Sequence, residues 1–151
     1  MISEGNLAPD FTLESDTGEP VSLTGFRGRP VVLFFYPRDD TPGCTTEACA
    51  FRDAYAEFQE RGAAIVGVSP DSTDSHVRFK DKYSLPFVLL SDPEQQAAQA
   101  YDVWREKTMY GRRRMGILRS TFVIDADGVV SRAMYGVKPD GHADDVLAAL
   151  S

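Results

Sequence analysis

Two cysteines, Cys44 and Cys49, stand five positions apart in the stretch Pro37-Arg38-Asp39-Asp40-Thr41-Pro42-Gly43-Cys44-Thr45-Thr46-Glu47-Ala48-Cys49, and the chain has no others. A thiol reacts as its thiolate, so the chemistry of Cys44 depends on what lowers its pKa from the free value of about 8.5. The stretch follows an apolar run, Val31-Val32-Leu33-Phe34-Phe35-Tyr36, and leads into a helical pattern from Ala50 to Arg61. A strand thus delivers the chain to a Pro/Gly turn, and the turn delivers Cys44 to the start of a helix. The first amides of a helix have no partner within it and carry the positive end of the helix dipole, which favours a thiolate placed there. Thr41 suits the N-cap, its hydroxyl able to accept from the amide of Gly43 or Cys44. Pro42 suits N1, where a missing N–H costs nothing, and Gly43 leaves room beside the sulfur. The plainer alternative is a helix entry followed by a small buried hydrophobe, as free cysteines often are.

The elements around this stretch follow from periodicity and turn residues. Phe11–Glu14 and Val21–Leu23 flank Asp16-Thr17-Gly18-Glu19 as a short N-terminal hairpin. The run from Val31 to Tyr36 is apolar without alternation, as in a central strand covered on both faces. A helix is expected from about Thr45 to Arg61, burying Ala48, Phe51, Tyr55 and Phe58 and stopped by Gly62. Ala63–Ser69 is a second buried strand, Asp74–Tyr83 a helix, Phe87–Leu90 a short strand, and Asp92-Pro93 opens a helix through Tyr101 with Pro93 at N1. Trp104 to Leu118 is the least regular segment. Thr121–Ile124 and Val129–Met134 flank Asp125-Ala126-Asp127-Gly128 as a hairpin, and a last helix spans about His142–Leu150. The expectation is an α/β fold, a central mixed sheet with helices on both faces, in one domain covering residues 1–151.

Bulk properties narrow the function. The 151 residues, 42% hydrophobic and 26% charged, describe a globular chain large enough to bury a core. A net charge of −7 argues against nucleic-acid or anionic-membrane binding, and Arg112-Arg113-Arg114 reads as a solvated loop. No run approaches the roughly 18 apolar residues of a membrane span. Met1–Gly5 lacks the basic and apolar regions of a secretory signal, so a cytoplasmic location is expected. There, two cysteines point to redox chemistry or metal ligation and not to a structural staple.

Pro37-x-x-x-Thr41-x-x-Cys44 resembles the peroxidatic motif of the peroxiredoxins, and Thr41-Pro42-Gly43-Cys44-Thr45-Thr46-Glu47-Ala48-Cys49 is similar to the bacterioferritin comigratory protein (PrxQ) branch. The resemblance runs from Ala8-Pro9-Asp10-Phe11 through Val103-Trp104-Arg105-Glu106-Lys107 and Met109-Tyr110-Gly111 to Met115-Gly116-Ile117-Leu118-Arg119-Ser120-Thr121-Phe122. It implies a thioredoxin-like fold and a thiol peroxidase acting on hydrogen peroxide and organic hydroperoxides. Cys44 would then be the nucleophile, with Thr41 and Arg119 catalytic beside it and Pro37, Pro42, Gly43 and Glu47 at the substrate pocket. Arg119, just before a strand, would favour the thiolate and bind the peroxide. Its plainer reading is a surface arginine. Glu47 would orient Arg119, or would be only a first-turn helix acid. Cys49 would resolve the Cys44 sulfenic acid as a disulfide, reduced in turn by thioredoxin or a similar dithiol protein, with no metal and no organic cofactor. Because resolution lies within one chain, the resemblance favours a monomer.

On an intact helix, Cα atoms five residues apart are about 8.7 Å from each other, whereas a disulfide tolerates at most about 6.8 Å. Thr41 to about Phe51 is therefore expected to unwind on oxidation. Trp104 and Met115 are candidates for the pocket mouth or for core, and His76 and His142 read as structural or surface residues. Alternatives are a one-cysteine peroxidase, a peroxide sensor, a disulfide reductase (which would want Cys-x-x-Cys), and a metal module using both cysteines with His76 and His142.

Overall fold

The structure, a computed structural model, describes residues 1–150; Ser151 lies outside the described residues. In chain order the strands are β1 (Thr12–Ser15), β2 (Pro20–Ser22), β3 (Val31–Phe35), β4 (Ala64–Ser69), β5 (Val88–Ser91), β6 (Trp104–Met109), β7 (Arg112–Ile117), β8 (Ser120–Ile124) and β9 (Val130–Tyr135). The helices are α1 (Pro42–Asp53), α2 (Tyr55–Glu60), α3 (Thr73–Tyr83), α4 (Gln96–Ala100) and α5 (His142–Ala149). Seven strands form one mixed sheet in the order β2-β1-β5-β4-β3-β8-β9, and β6 and β7 pair separately. Strand β3 is central, parallel to β4 and antiparallel to β8.

The unbroken apolar run of β3 is explained by its two neighbourhoods. Leu33 and Phe35 join one core with Val66, Val68, Tyr101 and Phe122. Val32, Phe34 and Tyr36 join the other, under Phe51, Phe58, Phe79 and Val146 from the covering helices. Gly67 on β4 lets these layers close: a Cβ there would lie 2.8 Å from Phe34 Cζ and 2.9 Å from Leu89 Cδ2. The mixed sheet, its flanking helices and the N-terminal hairpin are as expected.

Four local expectations are corrected. The helix after Cys44 is not continuous to Arg61. Its ladder is interrupted at Ala54 (φ −94°, ψ 4°), giving α1 and α2, and neither glycine nor proline marks the break. Second, Pro93 does not open a helix at N1. The backbone turns through Gln95 (φ 56°), α4 starts at Gln96, and the Asp92 carboxylate caps it by accepting from the amides of Ala97 (3.3 Å) and Ala98 (3.0 Å). Third, Trp104 to Ile117 is a regular hairpin, turned by Tyr110 (φ 52°) and Gly111 (φ 75°), the two positive φ values of a type I′ turn. Lastly, Arg112, Arg113 and Arg114 are exposed as expected, but on β7 and not in a loop. Among the described residues no helix is long and apolar enough to cross a membrane.

Candidate active site

Strand β3 ends at Phe35, and the half-buried Pro37 bends the chain toward α1. The turn that follows is fastened before the helix begins. Asp39 N–H donates to Asp71 Oδ2 (2.7 Å), while Asp39 Oδ1 accepts from Tyr36 OH (2.5 Å) and Oδ2 from Ser75 Oγ (2.8 Å). His76 Nε2 faces the carbonyl of Leu90 (2.9 Å), which can only accept, so that nitrogen carries a proton. Its Nδ1 meets Asp39 Oδ2 at 2.7 Å, and that contact needs a second proton shared between the two side chains. Burial first, then the charge of Asp39, pushes the Tyr36 phenol well above its ordinary value. His76 is therefore a fully buried structural residue. Asp40, exposed and left-handed (φ 57°), passes the chain on to Thr41.

Thr41 occupies the N-cap with extended backbone and Pro42 follows at the helix start, as expected. The cap itself differs. The Thr41 hydroxyl makes no capping hydrogen bond and donates instead to the carbonyl of Arg38 (3.0 Å). Thr45 N–H bonds to the carbonyl of Thr41 (2.8 Å), so the ladder still begins there. The Cys44 side chain is turned inward and buried, and Cys49 on the same helix is half-buried. Both are free thiols.

Arg119 comes to this helix end from the head of β8, the antiparallel neighbour of β3, whose Ser120 pairs with Phe35. Its backbone is pinned before β8 by Val137 N–H donating to its carbonyl (2.9 Å). One guanidinium nitrogen, Nη2, donates to Cys44 Sγ (3.2 Å), and the other, Nη1, to Glu47 Oε1 (2.7 Å). The shared arginine is thus more than a surface cation; its side chain is 14% exposed. Gly43 is small for a reason, because a Cβ there would sit 3.1 Å from Arg119 Nη2 and 3.3 Å from Pro139 Cγ. Partial burial alone would lower the Arg119 guanidinium, but the charges of Glu47 and Cys44 outweigh it and hold the group above its ordinary value.

Glu47 is not the solvated first-turn acid of the plainer reading. Its side chain has no solvent exposure, and burial pushes its carboxyl up to about 7 although Arg119 pulls the other way. His142, expected to be structural or surface, is buried next to it, Nε2 lying 2.7 Å from Thr121 Oγ1 and 4.0 Å from Glu47 Oε2. Sequence reasoning missed this approach because His142 opens a helix 95 positions later (142 − 47), with no local motif linking the two. It also missed Lys107 on β6, whose ammonium is lowered first by burial and then by Arg119, with Cys44 opposing. Trp104 packs against the core, and Met115 is half exposed on β7.

The structure therefore brings Gly43, Cys44, Glu47 and Arg119 together, with Thr41 and Pro42 at the same helix end. Cys49 is the member held apart. As for metals, Asp39, Asp71 and His76 have ligand atoms within 4.8 Å of one another, but these are already engaged in the hydrogen bonds above. Among the described residues, Cys44, Cys49, His76 and His142 do not gather into a ligand set.

Residues 5–133 match the AhpC/TSA family. Over 149 residues the chain is 49% identical to Peroxiredoxin Bcp of Bacillus subtilis (strain 168), covering 99% of this chain and 95% of that one. It is 46% identical to a putative peroxiredoxin bcp of Coxiella burnetii, over 99% of both. Among solved structures it is similar to the bacterioferritin comigratory protein of Xanthomonas campestris, described for alkyl peroxide reduction, with TM-score 0.91, 42% identity and coverage of 99% and 96%. A cysteine-to-serine mutant of PrxQ from Xylella fastidiosa gives TM-score 0.93 and 35% identity, covering 99% and 96%. Agreement of this degree along the whole length of both chains, on one fold, decides the matter: the chain belongs to the AhpC/TSA family, among the peroxiredoxins of the Bcp/PrxQ kind, which are thiol peroxidases.

Proposed function

We propose that Cys44 is the peroxidatic residue of this thiol peroxidase and that Cys49 resolves its oxidised form. The observation that supports this most is the guanidinium of Arg119 bonded at once to Cys44 Sγ and to Glu47, beside the first amides of α1. The Cys44 thiolate attacks one oxygen of a hydroperoxide, an S–O bond forms and the O–O bond breaks. The leaving oxygen departs with the electron pair and is protonated to water or an alcohol. Arg119 and the amides at the helix start face the oxygen on which charge develops. The Thr41 hydroxyl joins them only by releasing Arg38, since it has one proton to give. The Cys49 thiol then displaces water from the sulfenic acid, forming the 44–49 disulfide, and a thioredoxin-type dithiol protein restores both thiols. Hydrogen peroxide and small organic hydroperoxides fit this chemistry equally. Resolution within one chain supports a monomer, the net charge of −7 supports a partner range without nucleic acid or anionic membrane, and two cysteines used for redox chemistry and not as a structural staple support a cytoplasmic setting. The continuous seven-stranded sheet supports reading the chain as one domain.

The test is peroxide consumption with thioredoxin, thioredoxin reductase and a nicotinamide donor, using wild type, Cys44→Ser and Cys49→Ser, with mass spectrometry of each oxidised product. Cys44→Ser should lose all turnover, and Cys49→Ser should accumulate sulfenic or sulfinic acid on Cys44. Full turnover by Cys49→Ser would make this a one-cysteine peroxidase, and activity surviving in Cys44→Ser would overturn the assignment.

A further inference from the structure

One oxygen of Glu47 has no role in that reaction. Oε1 accepts from Arg119, but Oε2 is buried without a hydrogen-bond partner. Facing it at 4.0 Å is Nε2 of His142, at the start of α5, and the hydrogen bond of that nitrogen goes to Thr121 Oγ1 (2.7 Å). The same imidazole helps line an open cleft of about 620 Å³, together with Met134, Lys138, Asp140 and Asp145. A closed-off carboxyl is thereby linked through a single imidazole to water, by a cleft whose lining includes neither Cys44 nor Arg119.

We propose that Glu47 and His142 form a proton-holding pair behind Arg119, protonated while Cys44 is a thiolate and discharged through His142 to the cleft once the sulfur is oxidised. The proposal rests on the assignment of Cys44 as the oxidised residue. Its physical basis is that one guanidinium serves two acids. With both ionised, a buried cation would face two anions, Cys44 Sγ at 3.2 Å and Glu47 Oε1 at 2.7 Å. With the thiolate present and the pair protonated, Arg119 faces a single negative charge. Oxidation removes the charge from sulfur, and ionisation of the pair then supplies Arg119 with a single anion again. An ionised carboxylate oxygen buried without a donor is costly, and protonation of Oε2 removes that cost; Nε2 of His142 spends its one hydrogen-bonding position on Thr121 Oγ1 (2.7 Å), so the proton crosses to the imidazole when that hydroxyl turns away.

The step balances. The thiolate sulfur bonds to one peroxide oxygen, the O–O bond breaks, and the other oxygen leaves as hydroxide or alkoxide. That base is neutralised by water, and the proton released through His142 neutralises the hydroxide so formed. In sum, thiolate, protonated pair and hydroperoxide become sulfenic acid, anionic pair and alcohol or water. Electrostatics agree with the geometry: burial holds the Glu47 carboxyl near 7 and lowers His142, with Asp145 opposing and Arg119 adding to the second effect. The charged and titratable groups around the pair are Arg119 at the head of β8, Cys44 on α1, Asp145 on α5 and Lys107 on β6. Arg132 on β9 and Lys138 and Asp140 before α5 face His142 from the cleft.

The test is proton stoichiometry. All proteins compared carry Cys49→Ser, so that oxidation stops at the sulfenic acid with α1 wound and Glu47 in place, and wild type here means wild type at positions 47 and 142. The reduced protein is oxidised by one equivalent of hydrogen peroxide in weakly buffered solution, and protons taken up are counted per thiolate, the thiolate being read from its ultraviolet absorbance. Without the pair, each thiolate oxidised takes up one proton. Wild type should take up almost none at about pH 6 and close to one at about pH 8, because its carboxyl ionises near neutrality. Glu47→Gln should take up one at both. The oxidised-minus-reduced infrared spectrum should lose a protonated-carboxyl band in wild type and show no such loss in Glu47→Gln. His142→Asn, too short to reach Oε2, should move the wild-type midpoint to lower pH, because the proton loses its second site. A full proton taken up by wild type at about pH 6, no carboxyl band, or an unmoved midpoint in folded His142→Asn overturns the proposal. If peroxide leaves the mass of Cys44 unchanged, the peroxidase assignment falls and this proposal with it; if Cys44 is oxidised and one proton is consumed, only this proposal falls.

Discussion

Forming the 44–49 disulfide should unwind the first turns of α1 and stop at Phe51. In the reduced protein Cys44 and Cys49 both belong to α1. Regular helix geometry puts their Cα atoms about 8.7 Å apart, about 2 Å beyond the longest span a disulfide allows. Releasing Pro42 to Cys49 exposes only two small buried apolar side chains, Cys44 (2% exposed) and Ala48 (1%). At about 0.8 kcal/mol per methyl-sized group this costs about 1.5–2 kcal/mol. The lost Arg119–Glu47 hydrogen bond adds about 1 kcal/mol, because returning the Glu47 carboxyl to water offsets most of its strength. The total, about 2–3 kcal/mol, is what the disulfide must overcome. Phe51 is different: fully buried and stacked on Phe34 at 4.9 Å, it would cost about 2–3 kcal/mol more on its own. Amide hydrogen exchange on the reduced and disulfide forms measures this directly. Protection at Thr45 to Cys49 should fall by about 30- to 150-fold on oxidation, at 1.4 kcal/mol per tenfold, while the amides from Phe51 onward keep theirs. Equal protection at Thr45 to Cys49 in the two forms, or loss that runs through Phe51, would refute the reasoning.

Two other perturbations act on the same site. Gly43→Ala puts a methyl 3.1 Å from Arg119 Nη2, so the guanidinium must give by a few tenths of an ångström and its bond to the sulfur is disturbed; kcat/KM for peroxide should fall about tenfold with the unfolding midpoint nearly unchanged, and an unaltered rate would show that the arginine is not set by this contact. Glu47 binds its proton more tightly when folded, about 7 against an ordinary 4.5, so its contribution is fully present below about pH 4.5 and is lost as pH rises through about 7. Urea unfolding should therefore show wild type losing about 2–3 kcal/mol between about pH 5 and pH 8 relative to Glu47→Gln, and parallel curves for the two proteins would contradict the shift.

What the sequence displayed and what it hid differ in a physical way. Strand β3 was legible because an unbroken apolar run has one good explanation, and the helix start at Pro42 because proline, glycine and a cap residue stand in line. The break at Ala54 was not, since no residue there is a poor helix former, and the split shows only in the packing of Phe51 and Phe58. The β6–β7 hairpin hid behind charged residues on both strands; its one local sign, Tyr110-Gly111, is a turn only because Tyr110 accepts a positive φ. Within the site, Cys44, Gly43, Glu47 and Arg119 were reachable because motif and family resemblance quote them together. The hydroxyl of Thr41 was misdirected because both of its possible partners are local and only geometry chooses Arg38. His142 and Lys107 were beyond reach: long-range approach of single polar residues leaves no periodicity to read.

The two buried polar clusters flanking α1 are built to opposite ends. Behind Thr41, Asp39 accepts from Tyr36 and Ser75, shares a proton with His76 and donates its amide to Asp71, which also accepts from Ser69. No buried side-chain atom of that cluster is left unpaired, and breaking one contact would orphan a buried group at about 1–3 kcal/mol. Inside α1, Glu47 keeps one oxygen without a partner and holds one strong hydrogen bond. The chain before the helix is therefore the fixed post, Phe51 is the second, and the residues between them are held by the contacts cheapest to give up. A catalytic cysteine that must first sit in a shaped pocket and then reach a partner five residues away requires that arrangement: many polar ties outside the segment that moves, and few within it.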